Sequence, residues 1–539
     1  MEHSWPRPVL RIKAARRAST RTIRAGVLAV FVALIAATAC GVPRKVERKV
    51  VLPSQAATLD RASPYIKAHL RSGFVYVLSQ WSWDETTGTL TGTGQLFDTQ
   101  RRVTGSTGTF TLPKDSVALF ETNVAKVSGS GVALMVMTGV TAAVAVACAA
   151  NPKACFGSCP TVYAADSSGR PLLQAESFSA SVAPGLEATD LDALYRARPT
   201  SRDLTLTLTN EALETHVIRY ADVLTAPRPP NGRVFFTSSG DFRQAARLTS
   251  PSACVAADGD CRVAVANFDA HERNSVSDSS DLGAREVVDL EFERAPAGPL
   301  GVVVSARQSL MTTYLIYQAL AYMGTDAGRW LASLKPSSMD TARAESIVGK
   351  LLGRIEVMVA DSAGAWQVVG ETGETGPIAA DTRLIPIPSP AGADRGPLRI
   401  RLRMTRGLWR LDWVALATVG AVVRPTRIAP HAVRRDTVDD PDALQSLTQR
   451  RTPLTTLPRD VFRLDYRLPE VPESLELFFE ARGYYLEWMR EEWLAETNPR
   501  AAMKLLLDPP GMLRDLARPF KRQEAAMDSL FWNSRYVRR

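Results

Sequence analysis

Strict alternation of apolar and polar side chains marks the clearest elements of this chain. Leu398, Ile400, Leu402 and Met404 alternate with Arg399, Arg401 and Arg403, and Leu204, Leu206 and Leu208 alternate with Thr205, Thr207 and Thr209. A period of two sends one set to a core and the other to solvent or a neighbouring strand, so strands are predicted over 398–404 and 204–209. Aromatic and β-branched runs at 74–78, 81–83, 88–97, 109–112 and 118–122 are separated by Asp-, Gly- and Pro-containing breaks. They predict a small antiparallel β domain over 66–128, as a strongly curved sheet or a barrel. Trp81 and Trp83 fall on one strand face, where a core role is commoner than a ligand platform. Further strands are expected at 161–164, 172–179, 217–223 and 234–237, within a β-rich domain over 151–284. Others are expected at 287–292, 301–305, 355–360, 366–369 and 384–387, within a β-sandwich-like domain over 285–424. Trp409, Leu411 and Trp413 continue the alternation on one face after a turn at Gly407.

Helical spacing is rarer. Leu315, Tyr317, Leu320, Met323 and Trp330 predict a mostly buried helix over 310–334, inserted in the sandwich-like domain. Tyr485, Met489 and Trp493 recur at i, i+4 and i+8 and predict an aromatic helix. A break at Asp508–Gly511 precedes a second helix through Leu513, Leu516 and Phe520. The Pro-, Arg- and Asp-rich stretch 425–458 reads as a linker to a C-terminal unit over 459–539. The fold class is therefore mainly β (α+β): several antiparallel units including a sandwich-like module, an apolar helical segment and C-terminal helices.

Two apolar runs lie outside this pattern. Arg7, Arg11, Lys13, Arg16, Arg17, Arg21 and Arg24 precede the run Ala25–Ala39, which ends at Cys40-Gly41. A basic segment, a short apolar core and small residues before a cleavage point form a secretory signal peptide over 1–39. The run is shorter than the roughly 20 residues of a stable membrane span. Small residues directly before a Cys resemble a bacterial lipobox, although Ala37 stands where Leu is favoured. Cys40 is thus the expected site of a lipid, with residues 40–65 as its tether. Arg16-Arg17 lacks the apolar follow-up of a twin-arginine signal. The second run, Gly131–Ala150, has no charged residue over 20 positions. Its length suits a span, but a span would place everything after it across the membrane from Cys40. A buried or surface apolar hairpin or helix over 129–150 is the preferred reading.

Removing the signal peptide changes the charge argument. Residues 1–39 carry seven positive charges and one negative, so six of the formal +9 leave and the mature chain is near +3. No nucleic-acid motif accompanies this modest charge, so nucleic acid is not an expected partner. The expected partners are the membrane, through Cys40, and an envelope protein or glycan. Cysteine usage fits an oxidising envelope: Cys155 and Cys159 (CFGSC) and Cys254 and Cys261 (CVAADGDC) read as two local disulfides, and Cys148 as a buried free thiol. A redox role for Cys155 and Cys159 is weaker, because their spacing is CxxxC with no thioredoxin-like pattern around it.

Candidate chemistry is sparse. The five His residues (His3, His69, His216, His271 and His431) are scattered, and no metal or cofactor site is expected. Asp278 and Asp281 could ligate calcium, yet they lack EF-hand spacing and read as a solvated loop. Arg399, Arg401 and Arg403, about 7 Å apart along a strand face, are a candidate anion-binding row. The plainer reading is that Asp and Glu on neighbouring strands partner them. Glu176, Glu187 and Asp190 are the best carboxylates for acid–base work, but no catalytic constellation is identified.

The segment Asn151–Pro160 (NPKACFGSCP) after a Gly/Ala run, Gln174–Ser179, Thr312–Leu315, Tyr322–Gly324 and Phe531–Tyr536 resemble a family of uncharacterised bacterial lipoprotein-like proteins. The resemblance covers most of residues 66–539. It implies no activity and assigns no site residue. The function expected is that of a membrane-anchored lipoprotein of the bacterial cell envelope, facing the periplasm or the exterior, that binds or scaffolds without catalysis. An envelope enzyme acting on a glycan or other polymer is the alternative, and a thiol–disulfide protein a weaker one.

Overall fold

The computed structural model describes residues 44–98, 103–127, 159–165, 169–212, 214–293, 297–324, 326, 327, 330, 353–361, 363–373, 376–387, 397–487 and 496–534. The expected signal peptide over 1–39, Cys40, the run 131–150, Cys148 and Cys155 lie outside these residues. The fold is mainly β with a few helices.

The N-terminal part is a six-stranded antiparallel sheet. Its strands are Arg44–Val51, Tyr65–Leu70, Val75–Asp84, Thr89–Phe97, Val103–Pro113 and Val117–Val127. In space, Arg44–Val51 lies at one edge and Val103–Pro113 at the other. Among the described residues these edges do not pair with each other, so the described strands form an open sheet. Ile66, Ala68, Leu78, Leu90 and Phe120 form its core. Trp81 and Trp83 pack against that core, and the Trp81 indole donates to Ser63 O at 2.9 Å.

The rest of the chain builds four sheets stacked in series. The first holds Thr161–Ala165, Pro171–Glu176, Asp203–Thr209, Ala432–Arg435, Val438–Asp439 and Val461–Arg467. The second holds Ala188–Ala193, Glu214–Pro227, Thr426–Ile428 and Leu475–Glu487, with Leu454–Thr456 on its flank. The third holds Gly232–Phe236, Phe242–Thr249, Leu300–Gln308, Asp381–Ile387 and Trp409–Val423. The fourth holds Ala253–Ala256, Gly259–Asp260, Arg285–Phe292, Ile355–Ala360, Trp366–Thr372 and Leu398–Thr405. Leu206, Leu208, Phe462 and Leu464 meet Ile218, Val223 and Phe479 between the first two sheets. Val302, Val304 and Leu411 meet Leu290, Ile400 and Leu402 between the last two. Tyr195, Leu224 and Phe478 meet Phe235, Val303 and Trp413 in the middle, fusing two sandwiches back to back.

This topology corrects the domain reading. Asp203–Thr209 pairs with Val461–Arg467, and Glu214–Pro227 with Leu475–Glu487, so the second β unit and the C-terminal strands are halves of one sandwich. The other sandwich, with its strands between Gly232 and Val423, is inserted between those halves. Residues 425–458 are therefore no linker. Thr426–Ile428, Ala432–Arg435 and Leu454–Thr456 enter the sheets, and Pro441–Gln449 is a helix capped by the Asp440 side chain, which accepts from Ala443 N at 2.9 Å. The polar composition that reads as a linker serves ion pairs instead. Asp222, with a fully buried side chain, accepts from Arg427 at 2.8 Å and from Arg450 at 2.6 Å.

Two smaller corrections share a cause, the pull of a sheet on a helix-like or in-phase pattern. Tyr485 sits in the strand Leu475–Glu487, where main-chain pairing to Glu214–Pro227 overrides its helical spacing. Along Trp409–Val423 a bulge at Asp412 shifts the register. Trp409 and Leu411 face the core of the last two sheets, whereas Trp413 turns into the middle layer. The expected buried helix runs over Met311–Met323 and is closed by Gly324 at φ 54°, whose Cβ would meet Thr497 Oγ1 at 1.9 Å. Met512, Leu513, Leu516, Ala517, Phe520 and Met527 of the C-terminal helix Pro509–Ser534 pack on the core of the last two sheets. Among the described residues no helix is long and apolar enough to cross a membrane.

Candidate functional site

A concentration of titratable side chains lies where strand ends of the first and second sheets meet the helix Met311–Met323 and the loop 376–378. Cys159, Glu176, Glu214, Glu487, Tyr317 and Tyr485 line a cavity of about 30 Å³ there, with Gln308, Thr312 and Gly376. Each group arrives for a topological reason. Cys159 and Glu176 bracket a hairpin in which Thr161 pairs with Glu176. Glu214 and Glu487 are the first and last residues of long paired strands and stand directly opposite each other. Gly376 permits the close approach of the loop, since a Cβ there would lie 2.0 Å from the Glu176 carboxyl carbon.

Like charges directly opposed on a sheet repel. Neighbours offset that here. His216, two residues along and on the same face as Glu214, places Nε2 3.1 Å from Glu214 Oε2. The Tyr317 hydroxyl donates to Glu487 Oε1 at 2.8 Å. Glu176 accepts from the main-chain N–H groups of Ile378 at 2.6 Å and Ala379 at 3.3 Å. Tyr485 donates to Ser179 O at 2.9 Å and meets the His216 ring edge-on at 6.4 Å. Burial, then the charges of Glu176 and Glu214, push the Cys159 thiol well above its ordinary pKa. Burial, then Cys159 and Glu214, push the Tyr485 phenol up likewise. Carboxylates tied to an imidazole, a phenol and main-chain donors can hold or pass protons. A thiol kept protonated is a poor nucleophile and a poor metal ligand.

Cys159 is a free, buried thiol, so the staple expected between Cys155 and Cys159 is not made. Pro160 leads Cys159 straight into a buried strand, and its side chain is committed to the cavity beside Glu176. The other pair is a disulfide: Cys254 and Cys261, with Cα atoms 5.1 Å apart, close a loop at the rim of the fourth sheet.

The three carboxylates grouped by sequence separate in space. Glu176 enters the cavity. Glu187 pairs with Arg219 at 3.0 Å and Arg482 at 2.7 Å. Asp190 accepts from Phe178 N at 2.7 Å and joins Asp192 and Asp381 at the seam between the two sandwiches, facing Arg383. The arginine row is present on an outer strand face, but it is mostly engaged. Arg401 forms a two-pronged pair with Asp289 at 2.6 and 2.8 Å, and Arg403 pairs with Glu356. Arg399 and Arg401 lie over Trp366 at 5.7 and 4.3 Å. The plainer reading of that row therefore fits these contacts better than an open anion site. Asp278 and Asp281 accept from N–H groups of their own turn. Among the described residues no group of three or more His, Cys, Asp and Glu side chains is arranged to hold a metal.

Glu214, His216, Tyr317, Tyr485 and Glu487 were not legible as a site. The signal in the sequence was faint: an acidic residue at the mouth of an apolar strand, with His on the same face two positions on. No protein-family model matches the chain, and no curated protein matches it, so these roles rest on geometry alone.

Proposed function

We propose that this chain is a lipid-anchored protein of the bacterial cell envelope that binds or scaffolds a partner without catalysing a reaction. The observation that carries the reading is the stapled, serially stacked body behind an export-type N-terminus. The disulfide Cys254–Cys261 is of the kind expected in a compartment that keeps thiols oxidised and so supports the reading. Four sheets locked through three filled cores make a stiff body suited to presenting surfaces. The cavity of about 30 Å³ is too confined for a stretch of polymer, and its carboxylates are held by the chain's own donors.

One observation favours the second reading, an enzyme acting on an envelope glycan: Glu176, Glu214 and Glu487 line one cavity, and glycoside hydrolysis uses a carboxylate pair. The buried, protonated Cys159 gives the thiol–disulfide reading no support. Incubation of the purified chain with isolated cell-wall material separates the first two. Retention on the pelleted wall without release of soluble fragments fits binding. Fragment release that Glu176→Gln abolishes fits the enzyme and contradicts the main proposal.

A further inference from the structure

A sheet edge is a row of main-chain donors and acceptors open to another strand, and proteins usually guard it with charge, proline or cover. The two edges of the N-terminal sheet differ in this respect. The strand Arg44–Val51 carries Arg44, Lys45, Glu47, Arg48 and Lys49 in eight residues. The strand Val103–Pro113 (VTGSTGTFTLP) carries no charge in eleven, and its only proline is the last residue. It is also the longest edge strand among the described residues. Its inner side pairs with Thr89–Phe97, and among the described residues its outer side pairs with no strand.

The side chains of this edge form a register. Thr107, Thr109 and Thr111 are exposed on one face. They continue rows from the next strand: Gln95 Nε2 to Thr107 Oγ1 at 3.1 Å, Thr93 to Thr109 at 3.2 Å and Thr91 to Thr111 at 3.2 Å. Gly105, at φ +79°, kinks the strand before Ser106, leaving Thr107–Leu112 as its regular part.

We propose that Val103–Pro113 is a dimerisation edge that pairs antiparallel with the same strand of a second copy of this chain, joining two six-stranded sheets into one. The choice of occupant follows from the side chains. The edge offers no charge with which to select a different partner. An alternating Thr row is complementary to itself under twofold symmetry, since pairing centred on Thr109 sets Thr107 opposite the second copy's Thr111 and extends the hydroxyl rows across the junction. The opposite edge carries five charged residues in eight, the kind of charge that guards an edge against pairing.

The test uses charge at exposed positions with room for long side chains. The mass of the purified chain in solution, by light scattering after size exclusion, is expected to be twice that of one chain. The double variant Thr107→Lys/Thr111→Lys sets lysine against lysine and is expected to weaken dimerisation roughly tenfold. Thr107→Glu/Thr111→Glu is expected to do the same, and an equimolar mixture of the two variants to recover the dimer. Unchanged circular dichroism verifies that each variant folds. A wild-type chain that stays at single-chain mass overturns the proposal, including the case in which the edge captures a strand of another protein. So does a dimer that neither variant weakens. The readout does not depend on a lipid at Cys40.

Discussion

Asp222 shows how far a single side chain reaches in this fold. Its carboxylate is buried, and it ties Arg427 and Arg450, from either side of the capped helix Pro441–Gln449, onto the strand Glu214–Pro227. Both guanidiniums also lie over Tyr220, at 5.4 and 4.2 Å. Breaking a fully buried pair costs roughly 3–5 kcal/mol. The two arginines are 42 and 43 % exposed, so solvent takes up part of the loss. Asp222→Ala is therefore expected to lower unfolding stability by about 2 kcal/mol, measured by chemical denaturation. An effect near zero would show that the segment is held by main-chain pairing alone. A second residue-scale test concerns the one described disulfide. It closes a short loop, with a sequence separation of 7, inside the core of the last two sheets. Replacing Cys254 and Cys261 together by Ser is expected to cost about 2 kcal/mol on the loop-entropy argument, and more if the buried hydroxyls find no partner. The disulfide was legible in the sequence as a close Cys pair, whereas the Asp222 pairing was not, since Asp222 and Arg427 stand 205 positions apart.

Single strands were far easier to read than their partners. The alternations at Leu398–Met404, Leu204–Thr209 and Ile355–Ala360 became strands, because burial on one face fixes a period of two whatever the neighbour is. What the pattern lacks is the identity of that neighbour. Nothing local says that Leu206 faces Leu464, or that Trp413 changes face at a bulge. The glutamate cavity was hidden for the same reason, since Glu214 and Glu487 meet only once their strands pair. Element pairing also sets a pH dependence. The strands Ala188–Ala193 and Asp381–Ile387 bring Asp190, Asp192 and Asp381 together at the seam of the two sandwiches, with Arg383 as the nearby cation and Glu176 beyond. Burial, only partly offset by Arg383, raises Asp381 to about 6, and burial with Asp190 and Asp381 raises Asp192 well above the carboxylate range. A raised folded-state pKa means that the folded chain holds these protons after the unfolded chain has released them. The stability these groups contribute is fully present below the ordinary carboxylate value and is lost as pH rises through the folded values. Asp381→Asn is expected to flatten the decline between about pH 4 and pH 6, by about 3 kcal/mol at most. Denaturation midpoints across that range decide it, and a slope equal to that of the wild type would contradict the coupling.

At the scale of the whole molecule, the class of fold was legible and the division into domains was not. Composition and alternation indicate a mainly β chain, and that is what forms. The Pro-rich crossing points near Pro227–Gly232 and Val423–Thr426 look like ordinary linkers, and nothing local shows that the chain returns to an earlier sandwich, so the pieces read as consecutive domains. The N-terminal sheet has its own core, separate from the stack, and stands between the stack and Cys40 in the chain. Residues 40–65 are not the tether expected from the sequence: Arg44–Val51 is a strand of that sheet, and Val51, Ala56 and Leu59 pack in its core. Under the proposed anchor, the lipid would sit only a few residues ahead of the small sheet, which would act as the spacer. The account's central claim is the lipid on Cys40, and it is tested most directly by replacing Cys40 with Ser in the full chain. Cells carrying either form are labelled metabolically with a fatty acid and fractionated. The expected result is that the wild-type chain is labelled and sediments with membranes, whereas the Cys40→Ser chain loses the label and leaves the membrane fraction. Unchanged labelling and membrane retention in Cys40→Ser would contradict the claim and shift attention to the apolar run 131–150 as the anchor.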